Sequence, residues 1–249
     1  MADPNPKGSL LLGYHRIGSP LVKSVVRGQY VLPGLFQKQI DLLECLGYRP
    51  IALPKLLSQT DEKGLYCITF DDGYKSVGDL AYPILADRGI PATIFVVAGA
   101  VGKTNAWDVE IGDRVEKMLS ASELIEMSEN GIEIGAHTMS HAHLPQLNDA
   151  ELHKEILDSK KVLEDMLGKT VAGFCYPYGE WDARVRDVVI EAGFEYAVST
   201  NRGTINSHAD KFALPRINVR WNNGGWLLKR KIEDAYCRQN RRDSSLFTE

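Results

Sequence analysis

"CITFDDGY", residues 67–74, sets two adjacent aspartates directly after a run of strand-forming residues. Leu65, Tyr66, Ile68 and Phe70 suit a buried β-strand. Neighbouring carboxylates repel, and a desolvated carboxylate is costly unless something pairs with it. An Asp-Asp-Gly turn in solvent would satisfy the same local pattern. The rest of the chain has to decide between a turn and a site.

Outward from this stretch, strand and helix patterns alternate. "SLLLGYH" reads as a first strand and "LPGLFQKQIDLLECLGY" as a helix ending near Gly47. After "GLYCITF" comes a helical "VGDLAYPILADRGI" that closes on Gly89, then the β-branched strand "ATIFVVAG". "SASELIEMSENG" is a helix with Ser122 or Ser120 as its N-cap, followed by the strand "IEIGAH". "NDAELHKEILDSKKVLEDMLG" is the longest amphipathic helix, with Leu152, Ile156, Leu163 and Leu167 on one face. "VAGFCYPYG", the helix "DARVRDVVIEAG", the strand "YAVST" and a further strand within "FALPRINVR" complete the pass. This β-then-α order predicts an α/β fold with a parallel sheet, open or closed into a barrel. No Pro/Gly/Ser-rich linker or internal repeat divides the chain. One domain is expected over residues 9–235, between a flexible N-terminus (1–8) and a basic C-terminal tail (236–249).

Composition narrows the classes. The chain has 249 residues, with 44% hydrophobic and 25% charged, ample for a sizeable core. Lys and Arg number 29 against 33 Asp and Glu, a net charge of −4 with no basic stripe, which argues against a nucleic-acid partner. The locally basic "LLKRKIEDAYCRQNRRDSS" reads as a solvated helix and tail. No run approaches the roughly 18 apolar residues of a membrane span. The N-terminus lacks the features of a signal peptide, so the expectation is a cytoplasmic protein, or an exported one whose signal is absent from this chain. Cys45, Cys67, Cys175 and Cys237 form no CxxC pair; three of them read as buried small hydrophobes, with long-range disulfides left open. The dinucleotide fingerprint and the P-loop are both absent.

Ionisable residues collect at strand ends: His15 after "LLLGY", Asp71 and Asp72 after "CITF", His137 after "IEIGA". Sites in parallel α/β folds form at these carboxyl ends. In "HTMSHAHL", His137 and His141 are four residues apart with His143 close behind, a spacing that lets imidazoles share one metal ion. One carboxylate from the aspartate pair completes a two-His, one-carboxylate set, suited to a hydrolytic zinc or a ferrous centre. The cation would offset the charge of the second carboxylate, free to act as general base. "FCYPYG" is a turn, with Pro177 fixing the backbone before Tyr178, that can aim a backbone N–H at an oxyanion, although such turns are usually structural.

"TFDDG", "HTMSH" and "YPYG", in this order, resemble the polysaccharide deacetylases of carbohydrate esterase family 4, the NodB-homology domain. The resemblance runs from about Ser9 to Val219. It implies a distorted (β/α) barrel of about seven parallel strands. It implies Asp71 as general base, with Asp72, His137 and His141 as ligands to a divalent metal, zinc first and Co2+, Ni2+ or Fe2+ as alternatives. Tyr178 would give its backbone N–H to the oxyanion. The family's usual motif arginine falls at Cys175, and Arg216 in "LPRINV" is the candidate to replace its guanidinium and to border the substrate. The late Leu-x-His motif is missing, while "LLGYHRIG" resembles the circularly permuted branch that includes the poly-β-1,6-N-acetylglucosamine deacetylases. That assigns the general acid to His15. Trp107 and Pro177 are further candidates for the substrate site, Trp107 as a sugar platform or a core residue.

The expected function is metal-dependent removal of N-acetyl groups from amino sugars in a glycan or polysaccharide. The same donor set would also suit a non-haem ferrous oxygenase. A non-catalytic carbohydrate-binding module is the third reading.

Overall fold

The computed structural model describes residue 6, residues 8–20 and residues 23–246, with side chains as far as residue 241. Most of the N-terminal stretch 1–8 therefore lies outside the described residues. Ten strands run in chain order: β1 (Leu10–Tyr14), β2 (Arg16–Ile17), β3 (Tyr30–Val31), β4 (Arg49–Pro50), β5 (Leu65–Phe70), β6 (Ala92–Val96), β7 (Glu133–Ala136), β8 (Gly173–Cys175), β9 (Tyr196–Val198) and β10 (Ile217–Asn218). The pairs β2–β3 and β4–β5 were not foreseen from sequence; strands of two residues carry no periodicity to read.

Every ladder between these strands is parallel. The main sheet is ordered β10-β1-β5-β6-β7-β8-β9, with β4 pairing β5 off this path. The seven strands of this path form a curled, distorted barrel, with β4 as an eighth strand beside it. Leu214 bridges Val198 of β9, and three residues later Ile217 pairs Leu12 of β1, so one short segment touches both edges of the path. β1, β5, β6, β8 and β9 are buried along their whole length. Sheets covered on both faces read as continuous apolar runs of this kind.

Local chemistry sets the helix boundaries. Ser120, not Ser122, caps Ala121–Glu129, in a capping box with Glu123. Asn148 and Glu151 form the equivalent box at the head of the helix over residues 149–167, which carries a π turn at Lys154–Asp158. A second π turn, Val77–Ala81, opens the helix after the Asp-Asp loop. At the C-terminus, the helix Gly225–Leu246 packs Leu228, Ile232, Ala235 and Gln239 inward and continues across position 235.

Tyr14, Phe36 and Phe70 meet with ring centroids 5.2, 5.7 and 5.8 Å apart. Such pairs add about 0.5–1.5 kcal/mol each beyond their burial. Tyr14 and Phe70 are register partners at the ends of β1 and β5, so this packing fixes the two positions from which His15 and Asp71 emerge.

Candidate active site

Register brings the polar residues together. Tyr14 pairs Phe70, which sets His15 beside Asp71, and Ala136 pairs Phe174, which sets His137 beside Cys175. Asp71 is 2% exposed and is held by three groups. Its N–H donates to Tyr14 O at 2.9 Å. Arg216 Nη1 donates to Oδ1 at 2.7 Å, and Nη2 donates to Oδ2. The His15 Nε2 lies 3.7 Å from Oδ2. Burial alone would raise the Asp71 carboxyl; the Arg216 guanidinium, His15 and His137 together outweigh it and hold the group below its ordinary range. Arg216 is 1% exposed, with its Nε donating to Ser199 O at 2.9 Å and Nη2 to Cys175 Sγ at 3.4 Å. Its guanidinium is spent behind Asp71. Its N–H groups are engaged within the protein, at the border of the cavity.

Asp72 turns the other way. It has φ 74, and its Oδ1 faces His137 Nε2 at 3.4 Å and His141 Nε2 at 3.3 Å. That oxygen is buried without a hydrogen-bond partner, as is His141 Nδ1. His137 Nδ1 donates to Cys175 O at 2.6 Å. A carbonyl can only accept, so in the neutral imidazole the hydrogen sits on Nδ1 and Nε2 keeps its lone pair. These three side chains fit a divalent ion. Donors about 2.0–2.1 Å from a tetrahedral zinc lie about 3.4 Å from one another, the spacing already present here. The charges agree too: two carboxylates and one guanidinium leave one negative charge, carried by Asp72. Burial would raise the Asp72 carboxyl, but the two imidazoles hold it well below the ordinary range.

The remaining candidates border this centre. His15 is pushed down by burial, a shift that Asp71 and Asp72 oppose. Trp107 stacks on His141 with centroids 4.9 Å apart and planes at 23°, so one face of the indole is already covered. Tyr178 has φ 58, lies edge-on to His141 at 4.5 Å, and stacks flat on His143 at 3.9 Å. His143 stays outside the ligand set, its Nδ1 paired with Glu180 Oε2 at 2.8 Å. Pro177 is buried beneath the turn rather than along the cavity. Gly179 is required there: φ is +73, and a Cβ would come within 2.0 Å of Thr200 Oγ1. The cavity over these groups measures about 540 Å³, within the range of small-ligand pockets.

Asp72, Thr138, His141 and Tyr178 are the non-glycine residues with positive φ among those described, and all four belong to this site. Such strain clusters where surrounding structure over-determines a functional geometry. Sequence reasoning missed a second cluster, around Arg16. This fully buried guanidinium meets Asp108, Asp113 at 3.1 Å and Glu116 at 3.5 Å, tying down the loop that carries Trp107. Its neighbour His15 was the readable signal. All four cysteines are free; Cys67 and Cys175 are buried but Cys45 and Cys237 are exposed, which corrects the expectation of three buried thiols. Cys175 is no ordinary core residue, since it lies against Asp71.

The family description "Polysaccharide deacetylase" matches residues 58–197, and the chain belongs to that family. Members are metal-dependent hydrolases, and the activity that goes with the family is N-deacetylation of amino sugars in polysaccharide. YxkH of Bacillus subtilis is 28% identical over 215 residues, covering 84% of this chain and 70% of that one. A poly-β-1,6-N-acetyl-D-glucosamine N-deacetylase of Staphylococcus aureus is 26% identical, covering 92% and 87%. The Streptococcus pyogenes deacetylase PplD, solved in complex with acetate, shares the fold with a TM-score of 0.77 at 24% identity, covering 92% of this chain and 99% of that chain. Among the described residues, no helix is long and apolar enough to cross a membrane.

Proposed function

We propose that this deacetylase hydrolyses the acetamide of N-acetylated hexosamine units in a glycan, with zinc as its metal, bound by Asp72, His137 and His141. The orphaned Asp72 Oδ1, buried between two imidazole nitrogens, carries this reading. Zinc held there would supply Lewis-acid polarisation of the amide carbonyl and acidify water at the site towards a pKa of about 7.

The chain's own groups divide the proton transfers. Asp71, kept ionised by Arg216, takes the proton of the attacking water as general base. The Tyr178 N–H donates to the oxyanion of the tetrahedral intermediate. His15, whose Nε2 lies 3.7 Å from Asp71 Oδ2, delivers a proton to the departing amine. Burial favours neutral His15, while the negative charge of Asp71 and Asp72 favours the imidazolium; His15 takes its proton from solvent before the C–N bond breaks. Each proton transfer contributes roughly 10²–10⁴-fold.

The test is acetate release from β-1,4- and β-1,6-linked N-acetylglucosamine oligomers by zinc-loaded and chelator-treated protein. Metal-dependent release is expected, and the preferred linkage identifies the polymer. Tight metal binding without release from either oligomer would refute the assigned substrate.

A further inference from the structure

The loop that bears His141 is held from outside the motif. Between His137 and His141 the chain turns twice through positive φ, at Thr138 (68°) and at His141 (65°). Two hydrogen bonds tie its carbonyls to the loop after β6: Ala98 N–H to Thr138 O and Gly99 N–H to Met139 O, both at 2.9 Å. Gly99 permits that approach, because a Cβ there would lie 2.4 Å from Met139 O. The Thr138 hydroxyl accepts the His141 N–H at 2.9 Å. This leaves the N–H groups of Met139 and Ser140, two consecutive donors of the concave kind that bind anions.

Glu155 fills that concavity. Its Oε2 accepts from Met139 N at 3.0 Å and from Ser140 N at 2.9 Å, and its Oε1 accepts from Ser140 Oγ at 2.7 Å. The residue lies within the π turn Lys154–Asp158 of an otherwise α-helical run. A π turn inserts one residue and shifts the faces of the helix past one another, and such turns concentrate at functional sites. Leu152 and Ile156 remain buried on either side while the carboxylate of Glu155 points back at the histidine loop. Backbone N–H groups seldom go unpaired in folded chains. Without this carboxylate, the strained turn loses three bonds at the two residues immediately before His141.

We infer that Glu155 is a positioning residue for the metal centre: it holds the 138–141 turn in the conformation that presents His141 to the ion. This rests on the ligand set proposed above. Outer partners of metal ligands, when removed, typically weaken metal affinity by about 10–100-fold.

The experiment measures how firmly zinc-loaded protein retains its metal against a competing chelator, together with the visible spectrum of the cobalt-substituted form. Glu155→Ala is expected to bind metal 10–100-fold more weakly, with an altered cobalt spectrum. Glu155→Gln keeps an oxygen for the two N–H groups and should recover part of that loss. Ser140→Ala removes a single bond and should cost roughly fivefold; it decides the matter if Glu155→Ala does not fold. Glu151→Ala breaks the capping box at the head of the same helix and should lower thermal stability with metal retention unchanged. Folded Glu155→Ala and Ser140→Ala proteins that both hold metal as the parent does would overturn the inference. Parent-like affinity in Asp72→Asn and His137→Ala would instead overturn the ligand set itself.

Discussion

Arg216 grips Asp71 with two parallel hydrogen bonds, across 145 positions of sequence. The guanidinium arrives from the residue just before β10, a strand that lies against β1 on the far side from β8. The family's usual arginine would have come from the position of Cys175. The two strands reach Asp71 from different sides, and Cys175 Sγ fills the remaining space at 3.6 Å from its Oδ1. Arg216→Gln is therefore expected to lower kcat by about 100-fold or more while zinc content stays at the parent level. It should also cost about 3–5 kcal/mol of stability, because a buried carboxylate loses its partner. Cys175→Ala should change kcat only a few-fold. A severe loss in the alanine variant, with Arg216→Gln active, would show that the thiol supports the base.

Asp71 and Asp72 sit side by side yet face different partners. Asp71→Asn should abolish acetate release and leave zinc bound, and Asp72→Asn should release the metal. Metal analysis of the two purified variants decides between them. Loss of zinc from Asp71→Asn would mean that the two roles are reversed.

The thiols offer a test of the packing. Burial pushes the Cys175 thiol up, with the Arg216 charge only partly opposing it, and pushes Cys67 well up. Both stay protonated and inaccessible at neutral pH. A thiol reagent should therefore label Cys45 and Cys237 in the native protein and all four cysteines after denaturation. Rapid native labelling of Cys175 would contradict the closed contact with Asp71.

Glu123 gives a pH signature remote from the site. Lys75 Nζ donates to its Oε1 at 2.6 Å, and the Ser120 hydroxyl and N–H donate to Oε2 at 2.7 and 2.9 Å. The lysine first, then Ser120, hold this carboxyl down at about 2 from an ordinary 4.5. A depressed folded pKa stabilises above the unfolded value, and that stabilisation fades as pH falls from about 4.5 towards about 2. The pair is about one-third exposed, so solvent screening keeps it to about 1 kcal/mol or less. Urea unfolding of the parent and Glu123→Gln should differ at about pH 6 and converge near pH 2–3. A difference that does not change with pH would exclude the ion pair as its source.

Much of the candidate site was legible because its chemistry is local in sequence. Strand-end aspartates, two histidines four apart, and a Pro-Tyr-Gly turn lie at the ends of elements whose apolar runs announce them. Parallel β/α order then requires those ends to meet. Local pattern could not say which residues would reach the aspartates from elsewhere. Arg216, Cys175 and Glu155 owe their placement to the register of β10, the register of β8 and a single π turn, and each of these is set by packing across the whole barrel. Periodicity and spacing act over a few residues, and they suffice for the fold class, the candidate ligand types and the carboxylate pair. Long-range packing is what makes Arg216 hold Asp71, leaves Asp72 facing the imidazoles, and lets Glu155 close the turn before His141. Those pairings form between side chains far apart in the chain, where contact depends on strand register and helix rotation.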